Sequence, residues 1–127
     1  MREAITASGA PAAVGPYSHA VKAGGLLFVS GQIPLDPDTG ELVGTTAAEQ
    51  ATQCLTNLAT IVGAAGGRLS DAVKCTVLLT SMGDFVEVNE AYAEFFSGDF
   101  PARIAYEVSA LPKNARVEID AVVACTG

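Results

Sequence analysis

The sequence is poor in the side chains that bind metals and polyanions. It holds one histidine, His19, and three cysteines, Cys54, Cys75 and Cys125, which are widely spaced and form no C-x-x-C pair. A Cys/His zinc site needs more ligands at closer spacing, so no metal is expected. Free cysteine behaves as a small hydrophobe, and the three thiols are expected to be buried. Seven Lys and Arg stand against 14 Asp and Glu, for a net charge of −7. A polyanion requires a clustered basic face, which so few scattered cations do not supply, so nucleic acid is not an expected partner. No apolar run approaches the roughly 18 residues of a membrane span; Leu26–Val29 and Ala121–Cys125 are far shorter. The segment Met1–Thr6 also lacks the apolar core of a signal peptide. The expectation is a cytoplasmic protein without membrane contact.

Half of the 127 residues are hydrophobic and 17% are charged, which excludes a disordered chain. A chain of this length fits one domain, taken as residues 1–127. Two apolar segments, 18–23 and 26–30, flank Gly24-Gly25, the signature of a two-residue hairpin turn with positive φ. Pro34, Pro37, Asp38 and Gly40 mark a turn-rich excursion.

Thr46-Ala47-Ala48-Glu49 fits a capping box, and Ala47, Ala51, Cys54, Leu55, Leu58, Ile61, Val62 and Ala65 follow at helical spacing up to Gly66-Gly67. A second helix is predicted from near Asp84, with Phe85, Val88, Tyr92, Phe95 and Phe96 as its apolar stripe.

The remaining segments alternate with period two. Val73, Cys75, Val77 and Leu79 share one face of their strand. Arg103, Ala105 and Glu107 oppose Ile104, Tyr106 and Val108, and Val117, Ile119, Ala121 and Val123 oppose Glu118, Asp120, Val122 and Ala124. The order predicts an α+β two-layer sandwich, one sheet with two helices on one face. The second sheet face is expected to carry Leu78, Ala105, Val122 and Ala124, too apolar for water. A second copy of the chain is its simplest cover.

No nucleophile elbow, phosphate loop or Ser/His/Asp set is present. His19 reads as a structural imidazole or, less simply, as a proton carrier beside Tyr17. Arg103 heads an otherwise apolar strand, where a cation needs an anionic partner. That partner is either a carboxylate of the chain or a small carboxylate ligand gripped by the guanidinium fork. Glu118 sits in similar apolar company, either paired with a basic residue or held near a ligand to position water.

Five motifs occur in order along nearly the whole chain. They are Val14-Gly15-Pro16-Tyr17-Ser18, Val29-Ser30-Gly31-Gln32-Ile33-Pro34, Asn89-x-x-Tyr92-x-x-Phe95-Phe96, Phe100-Pro101-Ala102-Arg103 and Leu111-Pro112-Lys113-x-x-Arg116-Val117-Glu118-Ile119. Together they resemble the RidA/YjgF family of reactive-intermediate deaminases, also called perchloric-acid-soluble proteins. The resemblance implies a chorismate-mutase-like fold with a mixed sheet, a homotrimer with a ligand pocket at each subunit interface, and no cofactor. It further implies hydrolysis of 2-imino acids and their enamine tautomers, such as 2-aminoacrylate, to 2-keto acids and ammonia. Carried over by position, Arg103 binds the substrate carboxylate and Glu118 orients the attacking water. Tyr17, Ser30, Gly31 and Asn89 line the pocket. The chain departs from many members after the arginine, where Ile104-Ala105-Tyr106 offers no thiol at position 105. Alternative readings are a small-carboxylate sensor on the same fold and an endoribonuclease, which fits poorly with the acidic charge and single histidine. A holdase would need a large exposed apolar surface, which trimer formation buries.

Overall fold

The computed structural model describes residues 1–126. Its strands are β1 (Arg2–Ile5), β2 (Ala20–Ala23), β3 (Leu26–Gln32), β4 (Ala72–Leu79), β5 (Ala102–Glu107) and β6 (Val117–Ala124). The helices are α1 (Ala47–Ala64) and α2 (Phe85–Ala93). The strands form one six-stranded sheet in the order β1-β2-β3-β6-β4-β5. Only β4 and β5 run parallel, joined through α2, so the sheet is mixed as expected.

Local chemistry sets these boundaries. Gly24 and Gly25, at φ 59° and 79°, make the turn between β2 and β3. Thr46 Oγ1 accepts from Glu49 N at 3.1 Å, and the Glu49 carboxylate accepts from Thr46 N at 3.1 Å, which closes the capping box of α1. α2 starts differently. Asp84 makes no capping hydrogen bond and instead faces Arg116 at 3.9 Å, while Ser81 caps the turn before it.

The core lies between the helices and one sheet face. Leu55, Leu58, Ile61 and Val62 of α1 and Val88 and Tyr92 of α2 pack with Leu27, Val29, Val77, Leu79, Ile119, Ala121 and Val123. All three cysteines are buried and free, and burial pushes the Cys54 and Cys75 thiols up.

Two face assignments need correction. Val73 is expected inside with Cys75 but is 45% exposed. Ala72 pairs with Val123 and Lys74 with Val122, so Val73 is the extra residue of a β-bulge that breaks the alternation. Ala105 is expected on the outer face, yet it lies opposite Val77 and packs on the core. The outer face carries Ile104 and Tyr106 instead, beside Leu78, Val122 and the half-exposed Phe28. The outer face remains apolar, with different side chains from those expected.

Candidate active site

The expected site residues fall into two groups on opposite sides of the sheet. Tyr17, Ser30, Gly31 and Glu118 line a cavity of about 690 Å³, walled further by Pro11, Val14, Ile33, Leu35 and Lys113. Asn89 and Arg103 meet elsewhere, where α2 crosses the edge strand β5. Register explains the split. Glu118 lies opposite Leu78 on the outer face, whereas Arg103 lies opposite Cys75 on the helix face.

The acid half is built on a second bulge. Val29 pairs with Ala121 and Gln32 with Ile119, so β3 carries one more residue than β6 across Ser30-Gly31. The Glu118 carboxylate lies directly over Gly31, and a Cβ at that position would run into Glu118 Oε2. The glycine is thus required by close approach rather than by backbone conformation. Ser30 Oγ donates to Ser18 O at 2.6 Å, which leaves its oxygen lone pairs as acceptors. Glu118 is half-buried and forms no ion pair among the described residues. Burial raises its pKa above the ordinary glutamate value, and the charge of Asp120 on the same strand face adds to the shift.

In the cation half, Arg103 Nη1 donates to Asn89 Oδ1 at 2.7 Å. The guanidinium also lies 5.4 Å from the Phe85 ring centroid and 5.0 Å from that of Tyr92. No carboxylate pairs with it among the described residues. The alternatives of an internal salt bridge are therefore not realised for either Arg103 or Glu118. Phe85 and Tyr92, read from the sequence as an apolar stripe and, for Tyr92, as part of the Asn89-x-x-Tyr92 motif, are neighbours of Arg103 that the sequence does not reveal. Their spacing from Asn89 (positions 85, 89 and 92) already places all three on one helix face.

His19 is buried, with Nδ1 accepting from Ala7 N at 2.9 Å and Nε2 donating to Pro11 O at 2.8 Å. It fastens the segment that leads to the cavity wall, which matches its structural reading. Among the described residues no three His, Cys, Asp or Glu side chains converge as a metal site, and no helix is long and apolar enough to cross a membrane.

Comparison with known proteins places the chain in a family. A RutC family protein of Sinorhizobium fredii is 59% identical over 126 residues, covering 99% of this chain and all of that protein. The 2-iminobutanoate/2-iminopropanoate deaminase of Mus musculus is 49% identical over 122 residues, 96% of this chain and 89% of the mouse protein. The crystal structure of E. coli TdcF with bound serine superposes with a TM-score of 0.92 at 38% identity, covering 98% of this chain and 99% of that one. The sequence pattern of the endoribonuclease L-PSP family matches residues 7–125, and the chain belongs to this family, the RidA/YjgF proteins whose motifs it carries.

Proposed function

We propose that the protein is a cofactor-independent 2-iminobutanoate/2-iminopropanoate deaminase whose active site assembles from two copies of the chain. The mouse relative bears that activity in its name over almost the same length. The observation that carries the reading is the pair of uncompensated charges. Arg103 and Glu118 each sit without an ionic partner among the described residues, on opposite faces of one sheet. A neighbouring copy that covers the apolar outer face brings its own Arg103 and Asn89 to the cavity of the first. Three copies related by rotation satisfy every such face, which favours a homotrimer.

The chemistry follows from the two halves. One Nη1–H of Arg103 is committed to Asn89, and the remaining fork, without a partner among the described residues, suits two parallel bonds to a carboxylate. The carboxylate of a 2-imino acid held there places its C2 atom near the acid half. Ionised Glu118 accepts a hydrogen bond from water and aims its oxygen at C2. As the O–C2 bond forms, the C=N π pair moves to nitrogen, and Glu118 takes the water proton. Glu118 returns that proton to the nitrogen, giving the carbinolamine, and then passes the carbinolamine hydroxyl proton to the same nitrogen as C2=O forms, so that ammonia leaves with the C–N pair and Glu118 is again ionised. An imine carbon is already electrophilic, so orientation and a held water suffice. The decisive assay generates 2-aminoacrylate with a serine dehydratase and follows 2-keto acid release. Acceleration proportional to added protein supports the reading. Binding of pyruvate without any acceleration points instead to a carboxylate sensor.

A further inference from the structure

The geometry points to Phe85 and Tyr92 as positioning residues that hold the Arg103 fork ready for a carboxylate, an inference that rests on the reading of Arg103 as the substrate anchor. An arginine at the rim of a sheet samples many rotamers, and freezing them on binding weakens affinity. Arg103 is exposed on β5, the edge strand of the sheet among the described residues. Its restraint comes from one face of α2, where residues 85, 89 and 92 follow at i, i+4 and i+7.

The type of restraint matters. A carboxylate partner would fix the guanidinium but would also neutralise it and occupy its N–H groups. Aromatic rings attract a cation through their faces and take none of its hydrogen-bond donors. Both ring centroids lie within cation–π range, at 5.4 Å and 5.0 Å from Arg103 Cζ. Asn89, a neutral acceptor, takes a single Nη1–H. The cation is thus held in place with its charge intact, and its Nε and Nη2 edge makes no hydrogen bond among the described residues.

Tyr92 is the fixed member of this pair. It is 4% exposed, packs against Phe96 with ring centroids 4.9 Å apart and planes tilted by 45°, and places its hydroxyl beside the thiol of Cys75, the residue opposite Arg103 in the ladder. That hydroxyl has no oxygen or nitrogen partner among the described residues, so the ring rather than the hydroxyl is the working part. Phe85, only partly buried, is the member that substitution can change without opening the core.

The test compares Phe85→Leu, which keeps apolar bulk but removes the π face, with Phe85→Tyr, which retains it. Three quantities are read on the full-length protein: the Arg103 Nε–Hε NMR resonance, KM and kcat for 2-aminoacrylate, and the thermal midpoint. Phe85→Leu is expected to move the resonance and raise KM about five- to tenfold, with kcat within about twofold of the parent. Phe85→Tyr is expected to restore both. An unmoved resonance, or a parental KM with only a lowered midpoint, overturns the inference. Failure of the underlying reading has a separate signature, parental turnover in a folded Arg103→Ala protein, and it removes the inference as well.

Discussion

Arg103 Nη1 donates to Asn89 Oδ1 at 2.7 Å, and this neutral amide is the only hydrogen-bond partner of the guanidinium among the described residues. A cation kept unpaired beside two aromatic rings is ready for an anion from outside the chain. Arg103→Ala is therefore expected to lower kcat/KM by about 30-fold to several thousand-fold, the range for losing one member of a desolvated charged pair. Arg103→Lys should also be poor, because a point charge cannot reproduce the planar fork. Thermal midpoints close to the parent's are expected for both variants. A large loss of stability with turnover intact would assign the arginine to the fold.

Glu118 must be ionised to accept the water proton, and its raised pKa sets where that happens. The charged form is lost as pH falls through the raised value, so activity should decline on the acid side of a midpoint above that of an ordinary glutamate. The kcat profile is the cleaner probe, since it reports the substrate-bound site in which Arg103 already faces the carboxylate. Glu118→Gln should retain pyruvate binding, lower kcat severely and abolish the acid limb. An unchanged limb in this variant would assign the titration to another group.

Gly31 tests the close approach directly. Its φ is unremarkable for any residue, so Gly31→Ala should fold, but the new methyl must displace the Glu118 carboxylate. Overpacking of this kind costs about 1–3 kcal/mol. Activity should fall further than the thermal midpoint suggests, because the displaced group is the proposed water holder. Full activity would show that Glu118 works from another position.

Thr46 supplies the contrasting control. Its hydroxyl caps α1 from a position outside the cavity lining. Thr46→Ala should cost about 1 kcal/mol, a fall of about 3–6 °C in Tm for a domain of this size. Turnover per folded chain should match the parent, and differential scanning calorimetry alongside the deamination assay reads both.

Much of this architecture is legible in the sequence because its signals are local. The Thr46–Glu49 box, the Gly24-Gly25 turn and the strict alternation of β6 each depend on neighbours within a few residues, and each appears where expected. Val73 and Ala105 were misplaced for a different reason. A bulge shifts Val73, and only the pairing of β5 with β4 fixes which face of β5 meets the helices. Pairing joins distant segments, so period-two alternation separates two faces without saying which one is inside. The same ignorance of register hides the division of the site: with Ala105 expected outside, Arg103 falls on the outer face beside Glu118, and only the pairing with β4 places it on the helix face. Phe85 and Tyr92 were legible as a stripe, but their contact with Arg103 depends on how α2 crosses β5.

The central claim, that Arg103 of one chain serves Glu118 of another, is tested most directly by mixing two inactive variants. Arg103→Ala and Glu118→Gln proteins are unfolded together in equal amounts and refolded, and the deaminase activity of the mixture is compared with that of each variant refolded alone. In randomly mixed trimers about a quarter of the sites combine an intact Arg103 with an intact Glu118 from the neighbouring chain, so about a quarter of parental activity should return. If both residues act within one chain, no site regains both groups, and a mixture as inactive as its components would contradict the account.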